Sequence, residues 1–219
     1  MDVIKVFNMS QRLCSVRRYS QLHLVKDESV MEHTGFVCFF GFLLSEYLNS
    51  LVEDGEKIDV CKVLQKSVVH DIDEIITGDI PRPTKYYNKE SKEVFDKIST
   101  AGINNVINEL GMDPNIILKN WTDAKKDKEG IIVKISDLAS VVYKLWDETI
   151  LLGNKKLLQQ AKEVIEYIDS TMVKVALDEE IVHNIWRNKL RILMIQLREV
   201  CEEITELDQP IIGTLKPFN

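Results

Sequence analysis

The segment IDVCKVLQKSVVHDIDEIITG, Ile58 to Gly78, places Val60, Leu64, Val68, Asp71 and Ile75 three or four residues apart. That period predicts a helix from Ile58 to about Thr77 with these side chains on its inner face. Gly78 suits a helix C-cap, and Pro81 and Pro83 stop the helix from continuing. A half-buried strand would alternate instead, and no stretch of the chain does so over a convincing length. The inner face contains an anomaly: Asp71 is ionisable, and His70 stands beside it.

Working outward, SVMEH offers Ser29 and Glu32 as a capping box for a second helix. Inside it Phe36, Phe40, Leu43, Leu44, Tyr47 and Leu48 recur at helical spacing, and His33 lies one turn before Phe36 and Val37. Residues 2 to 15 read as a short amphipathic helix, followed by the polar, basic loop VRRYSQLHLVKDE. Downstream, helices are expected at 88–110, briefly within GMDPNIILKNWTDAKKDKEG, and at 131–152, 155–175 and 178–207. The last carries Ile181, Ile185, Leu193, Leu197 and Val200. No repeat, low-complexity tract or linker interrupts the chain. The prediction is an all-α fold, a single helical domain over residues 1–219.

Composition agrees. Only 9 glycines and 5 prolines in 219 residues favour helices over a turn-rich β fold. The net charge of −7, without a long basic run, argues against a nucleic-acid polymer as partner. Cys14, Cys38, Cys61 and Cys201 form no C-x-x-C pair and read as reduced thiols of a cytoplasmic protein. The start MDVIKVFNMSQRL mixes charge with apolar residues and is not expected to be a signal peptide. GFVCFFGFLL is too short to span a membrane.

Asp137, in IIVKISDLASVVYKLW, repeats the anomaly of Asp71, with Val133 and Val141 one turn away on either side. An ionised carboxylate on a core face costs several kcal/mol unless paired or bound to a metal. Singly, a buried histidine is usually just hydrogen-bonded and a helical aspartate usually a cap or ion pair. Together, His33, His70, Asp71 and Asp137 fall on three helices expected to face one core. Two imidazoles and two carboxylates suit Mn²⁺, Co²⁺, Fe²⁺, Ni²⁺ or Zn²⁺.

The order H…HD…D resembles the HD-domain metal-dependent phosphohydrolases. RRYSQLHLVKDESVMEH, HDIDEIITGDIPRPTKYYN and VKISDLASVVYKLWDE together resemble the YfbR-like 5′-deoxynucleotidase subgroup, over roughly residues 12–169. The resemblance implies a helical HD-domain bundle with His33, His70, Asp71 and Asp137 as metal ligands. It implies Glu74, the E of H-D-x-x-E, as the residue that orients and deprotonates the attacking water. Asp73 is expected to be a solvent-exposed bystander. Asp79 matches the aspartate of T-G-D, which donates a proton to the leaving oxygen or holds a sugar hydroxyl; the sequence does not choose. Ile76, Thr77 and Gly78 fall with Asp79 on the substrate side, as do His33 and Asp71.

Arg18, fifteen residues before His33, aligns with the subgroup's substrate-binding arginine and could grip phosphate with two parallel hydrogen bonds. Arg17 is its neighbouring competitor. Lys85 is a second candidate cation, and Tyr86 and Tyr87 either pack the loop or line the pocket. His23 and His183 match no motif. The subgroup carries Trp where this chain has Tyr19, which leaves deoxyribose selectivity open, and Ile72 and Asp73 replace small residues.

The function implied is divalent-metal-dependent hydrolysis of deoxyribonucleoside 5′-monophosphates, by a cytoplasmic homodimer. An alternative is a phage-type deoxynucleoside triphosphate triphosphohydrolase, for which Arg17, Arg18, Arg82 and Lys85 could supply the extra cations. A third is a catalytically silent nucleotide-sensing or partner-binding module.

Overall fold

The computed structural model describes residues 2–124, 126–172 and 184–207, and they form helices joined by short loops, with no strand among them. In chain order these are α1 (Val3–Ser15), α2 (Val30–Asn49), α3 (Val60–Val69), α4 (Glu74–Thr77), α5 (Arg82–Lys85), α6 (Lys89–Glu109), α7 (Pro114–Thr122), α8 (Lys128–Trp146), α9 (Leu158–Tyr167) and α10 (Asn184–Glu206). The all-α expectation holds. Ile181, His183 and the expected ends of the two C-terminal helices around 173–183 lie outside the described residues.

The capping box at α2 is present in full: the Ser29 side chain accepts from the Glu32 N–H, and Glu32 accepts from the Ser29 N–H. Helix α2 packs on α3 and α8, which pack on each other. Small residues allow the close approach. A Cβ on Gly41 would lie 3.3 Å from both Ser136 Oγ and Val63 Cγ1. Val37, Leu48, Val63, Ile132, Val133, Ile135 and, from α10, Leu190 and Met194 fill the centre. A second cluster joins Val69 and Ile72 to Ile103, Ile107 and Leu110.

Two expectations change here. The helix expected over 58–77 ends at Val69, and α4 begins only at Glu74. Its buried residues are Val63, Lys66, Ser67 and Val69, while Val68 is exposed. In α2 the buried stripe is His33, Val37, Gly41, Ser45 and Leu48, and Leu43 and Tyr47 face outward.

Two buried ion networks set the position of α8. Lys66 Nζ, inside the core, donates to the Asp123 carbonyl and to Asp127 Oδ1, both at 2.6 Å. Asp127 is also the α8 N-cap, accepting from the Gly130 N–H. Burial opposes its charge, but bonds from Lys62, Lys66 and Gly130 outweigh it and hold its pKa at about 2. Beyond the other end of α8, buried Glu148 accepts from the N–H groups of Val25 and Lys26, from Asn154 Nδ2 and from Lys144 Nζ. It fastens the loop after α1 to the bundle.

Candidate active site

His33 projects from the first turns of α2 and is fully buried. Its Nε2 lies 3.1 Å from His70 Nε2, 3.3 Å from Asp71 Oδ2 and 3.4 Å from Asp137 Oδ1. His70 Nε2 is 3.2 Å from the same Asp71 oxygen. Side chains from α2, from the turn after α3 and from α8 therefore aim their ligand atoms at one place. His33, His70 and Asp71 form a group able to hold a metal, and Asp137 joins it through His33.

The outer nitrogens are bonded as well. His70 Nδ1 donates to the Ser67 carbonyl at 2.6 Å, which leaves the Nε2 lone pair pointing inward. His33 Nδ1 pairs with Ser140 Oγ at 2.8 Å. Burial opposes charge on His33, but its bonds to Asp137 and Asp71 prevail and raise its pKa. Burial likewise opposes ionisation of Asp71, yet the two histidines hold its pKa well below the usual value. Two imidazole nitrogens and two carboxylate oxygens with inward lone pairs repel one another unless a cation lies among them. The donor set fits a divalent transition metal.

Around this cluster stand Arg18, Tyr19, Glu74 and Asp79. An isolated antiparallel bridge between Arg17 and Ser29 closes the neck of the loop after α1, with Arg18 N–H bonded to the Glu28 carbonyl. Arg18 is buried, donates from Nη1 to Glu28 Oε2 at 2.9 Å and lies 4.7 Å above the Tyr19 ring. Burial works against its charge, but Tyr19, Glu28, Asp71 and Asp137 keep its pKa above the ordinary value. Tyr19 has a left-handed backbone, φ 57°, and its N–H donates to Asp79 Oδ2 at 2.6 Å. This contact joins the loop after α1 to the loop after α4. Burial raises the Tyr19 pKa, and its hydroxyl is buried without a hydrogen-bond partner among the described residues.

Glu74 opens α4, and its Oε2 is buried without a partner among the described residues. Burial, then the charges of Asp71 and Asp79, push its pKa up to about 9. Gly78 ends α4 at φ 70° and turns the chain to Asp79. Thr77 Oγ1 is bonded to the carbonyls of Asp73 and Gly78, and half-exposed Ile76 lies over Gly102 of α6.

Asp73 is not the exposed bystander the sequence suggested. It is 2% exposed and accepts from Ser99 Oγ and Trp121 Nε1. Lys85 Nζ is turned to Asp73 Oδ2 at 3.5 Å. The sequence reading also passed over Glu28, Ser67 and Ser140. Ser67 contributes only its backbone carbonyl, and Ser140 pairs with His33 from 107 residues away, so neither they nor Glu28 leave a local signal.

A 5′-deoxynucleotidase of Vibrio vulnificus is 27% identical over 139 residues, 63% of this chain and 71% of that protein. A conserved hypothetical protein from Pyrococcus furiosus superposes with a TM-score of 0.66 at 22% identity, covering 90% of this chain and 99% of its own. The cyanophage S-2L HD phosphohydrolase DatZ, bound to dA and one catalytic Zn²⁺ ion, superposes at 0.57 and 18% identity, covering 90% and 96%. These two structures share the fold. The family described as 5′-deoxynucleotidase YfbR-like matches residues 5–180, most of the length, and the chain belongs to that family.

Proposed function

We propose that this protein hydrolyses deoxyribonucleoside 5′-monophosphates to deoxynucleoside and phosphate at the His33–His70–Asp71–Asp137 cluster. The observation that carries the reading is the meeting of three further ligand atoms on His33 Nε2, with Arg18 and Glu74 flanking them. A divalent transition metal (Co, Mn, Zn, Ni or Fe) held by these four residues would supply Lewis acidity toward a phosphoryl oxygen and a water. A zinc ion in the cyanophage relative supports this assignment.

Arg18 binds the phosphate. Glu28 already orients its guanidinium, so little ordering remains to be done when the anion arrives. In-line attack forms the new P–O bond as the P–O5′ bond breaks, and Arg18 stabilises the charge on the phosphoryl oxygens. Glu74 takes the proton of the attacking water. Burial beside Asp71 and Asp79 favours the protonated Glu74 carboxyl, and a divalent cation held by the four ligands would offset their negative charge and favour the ionised form that the proton transfer needs. The departing 5′ oxygen takes a proton from solvent, to which Asp71 and Asp137 are partly open. Asp79 already accepts the Tyr19 N–H, so we assign it to the sugar hydroxyl rather than to the leaving oxygen. Ile76, Thr77 and Gly78 frame the sugar side.

The triphosphate reading is less well supported. Arg17 is directed to the Cys14 carbonyl and Asp27, and Lys85 to Asp73, so neither faces the cluster as a spare cation. The silent-module reading conflicts with a complete ligand set. We further propose that residues 1–219 act as one domain, in the cytoplasm, as a homodimer. No helix among the described residues is long and apolar enough to cross a membrane.

The test is phosphate release from mono- and triphosphates, deoxy and ribo, crossed with a metal panel on chelator-stripped protein. Activity is expected on deoxynucleoside monophosphates, one phosphate per nucleotide. Asp137→Ala is expected to abolish calorimetric metal binding and turnover together, and full activity in that variant would remove the site.

A further inference from the structure

Asp73 has no part in the chemistry above, yet it is among the best-anchored carboxylates in the molecule. Its Oδ2 accepts from Ser99 Oγ of α6 at 2.9 Å, and its Oδ1 accepts from Trp121 Nε1 of α7 at 3.1 Å. Lys85 Nζ, at the end of α5, lies 3.5 Å from Oδ2. Three elements thus converge on one side chain. Withdrawing a carboxylate from water is costly without such partners, so each bond has a share in keeping it there.

The next residue is Glu74, the proposed proton acceptor. It sits in a helix of four residues, far too short to hold its own shape. Asp73 occupies the N-cap position of α4 but makes no cap bond, because its side chain crosses to α6 and α7 instead. One turn further along the same helix, Ile76 packs on Gly102, where a Cβ would come within 2.6 Å of Ile76 Cγ1. The placement of α4 is therefore imposed from outside, by Asp73 and by this close approach.

We propose that Asp73 is a positioning residue for hydrolysis: through Ser99 and Trp121 it fixes the helix that carries Glu74, and so sets the Glu74 carboxylate against the attacking water. This rests on the nucleotidase reading above. Lys85 belongs to the same anchor and ties the segment after Asp79 to it.

Turnover of a deoxynucleoside monophosphate by metal-loaded protein tests the role. Asp73→Ala is expected to lower kcat by about 10- to 100-fold with KM little changed. Asp73→Asn should recover most of it, since its amide can accept from Trp121 and donate to Ser99. Trp121→Phe and Ser99→Ala each remove one donor, keep the aspartate and guard against an Ala variant that does not fold. Combined, they should lower kcat in the same way. Wild-type kcat in that double variant, or an Asn variant no better than Ala, would overturn the role. The indole N–H NMR signal of Trp121, identified by its loss in Trp121→Phe, reads the contact without any substrate. It is expected to move in Asp73→Ala, and a signal that stays in place removes the anchor. A wild-type protein that hydrolyses no deoxynucleotide, with that signal responsive, overturns the nucleotidase reading and this role while leaving the contact established.

Discussion

Tyr19 shows how one residue can alter a site whose metal cluster is complete. Its left-handed backbone is uncommon for a non-glycine residue and is held by the bond from its N–H to Asp79. The ring stacks under Arg18, and its buried hydroxyl is free of protein partners among the described residues. If Tyr19 lines the sugar pocket, its smaller ring and its hydroxyl would weaken discrimination against ribonucleotides. Tyr19→Trp is expected to raise the deoxyribo-to-ribo ratio of kcat/KM by about tenfold. Steady-state kinetics on matched nucleotide pairs checks this, and an unchanged ratio takes Tyr19 out of selectivity. At this scale His33, His70, Asp71 and Asp137 were legible because ionisable groups at apolar helix positions are expensive unless they have a task. Asp73 was misread because acidic residues are common on exposed helix faces. Only the fold shows that Ser99 and Trp121, 26 and 48 residues away, meet it.

Among elements, the break between α3 and α4 is the departure with most consequence. The apolar period seemed to run through residue 75, but Ile72 N–H bonds to the Val69 carbonyl and Glu74 N–H to Asp71, each three residues back. The regular α-helical ladder therefore stops at Val69, and Val68 is left exposed while Asp71 turns to the histidines. The turn lets His70 reach the Ser67 carbonyl while Glu74 and Asp73 point in different directions. The loop carrying Arg18 depends on another element-level device, the Glu148 network. Burial opposes that carboxylate's charge, but the N–H of Val25, Asn154, the N–H of Lys26 and Lys144 lower its pKa from 4.5 to about 2. A depressed carboxylate stabilises the fold above its unfolded pKa, and that stability is lost as pH falls through the folded one. Urea unfolding should therefore show a loss of about 2–3 kcal/mol from Glu148 between roughly pH 5 and pH 2. Glu148→Gln should be less stable at pH 7 and lack that part of the acid slope. An unaltered slope would mean the network is not holding the loop.

For the whole molecule, the outward face of α2 matters most. Phe39 is 65% exposed, and Leu43, Tyr47 and, on α10, Ile192 and Ile195 are also exposed. A groove of about 370 Å³ between the two helices is lined by Phe40, Leu43, Leu44, Tyr47, Ile192 and Leu193. Apolar patches of this kind on a water-facing surface mark association sites. The proposed homodimer is expected to close here: sedimentation should give twice the chain mass, and Leu43→Asp with Ile192→Asp should give a monomer that still binds metal. A wild-type monomer at micromolar concentration, or a dimeric double variant, would place the interface elsewhere or remove it. The sequence alone determined that the chain is helical, where most helices begin, and which ionisable residues gather at the site, because helical period and the cost of buried charge are local properties. Tertiary structure alone decided which face of α2 is buried, where α3 ends, and that Asp73 and Lys85 bond to each other. Those outcomes depend on which helices lie opposite, and no local pattern of residues contains that.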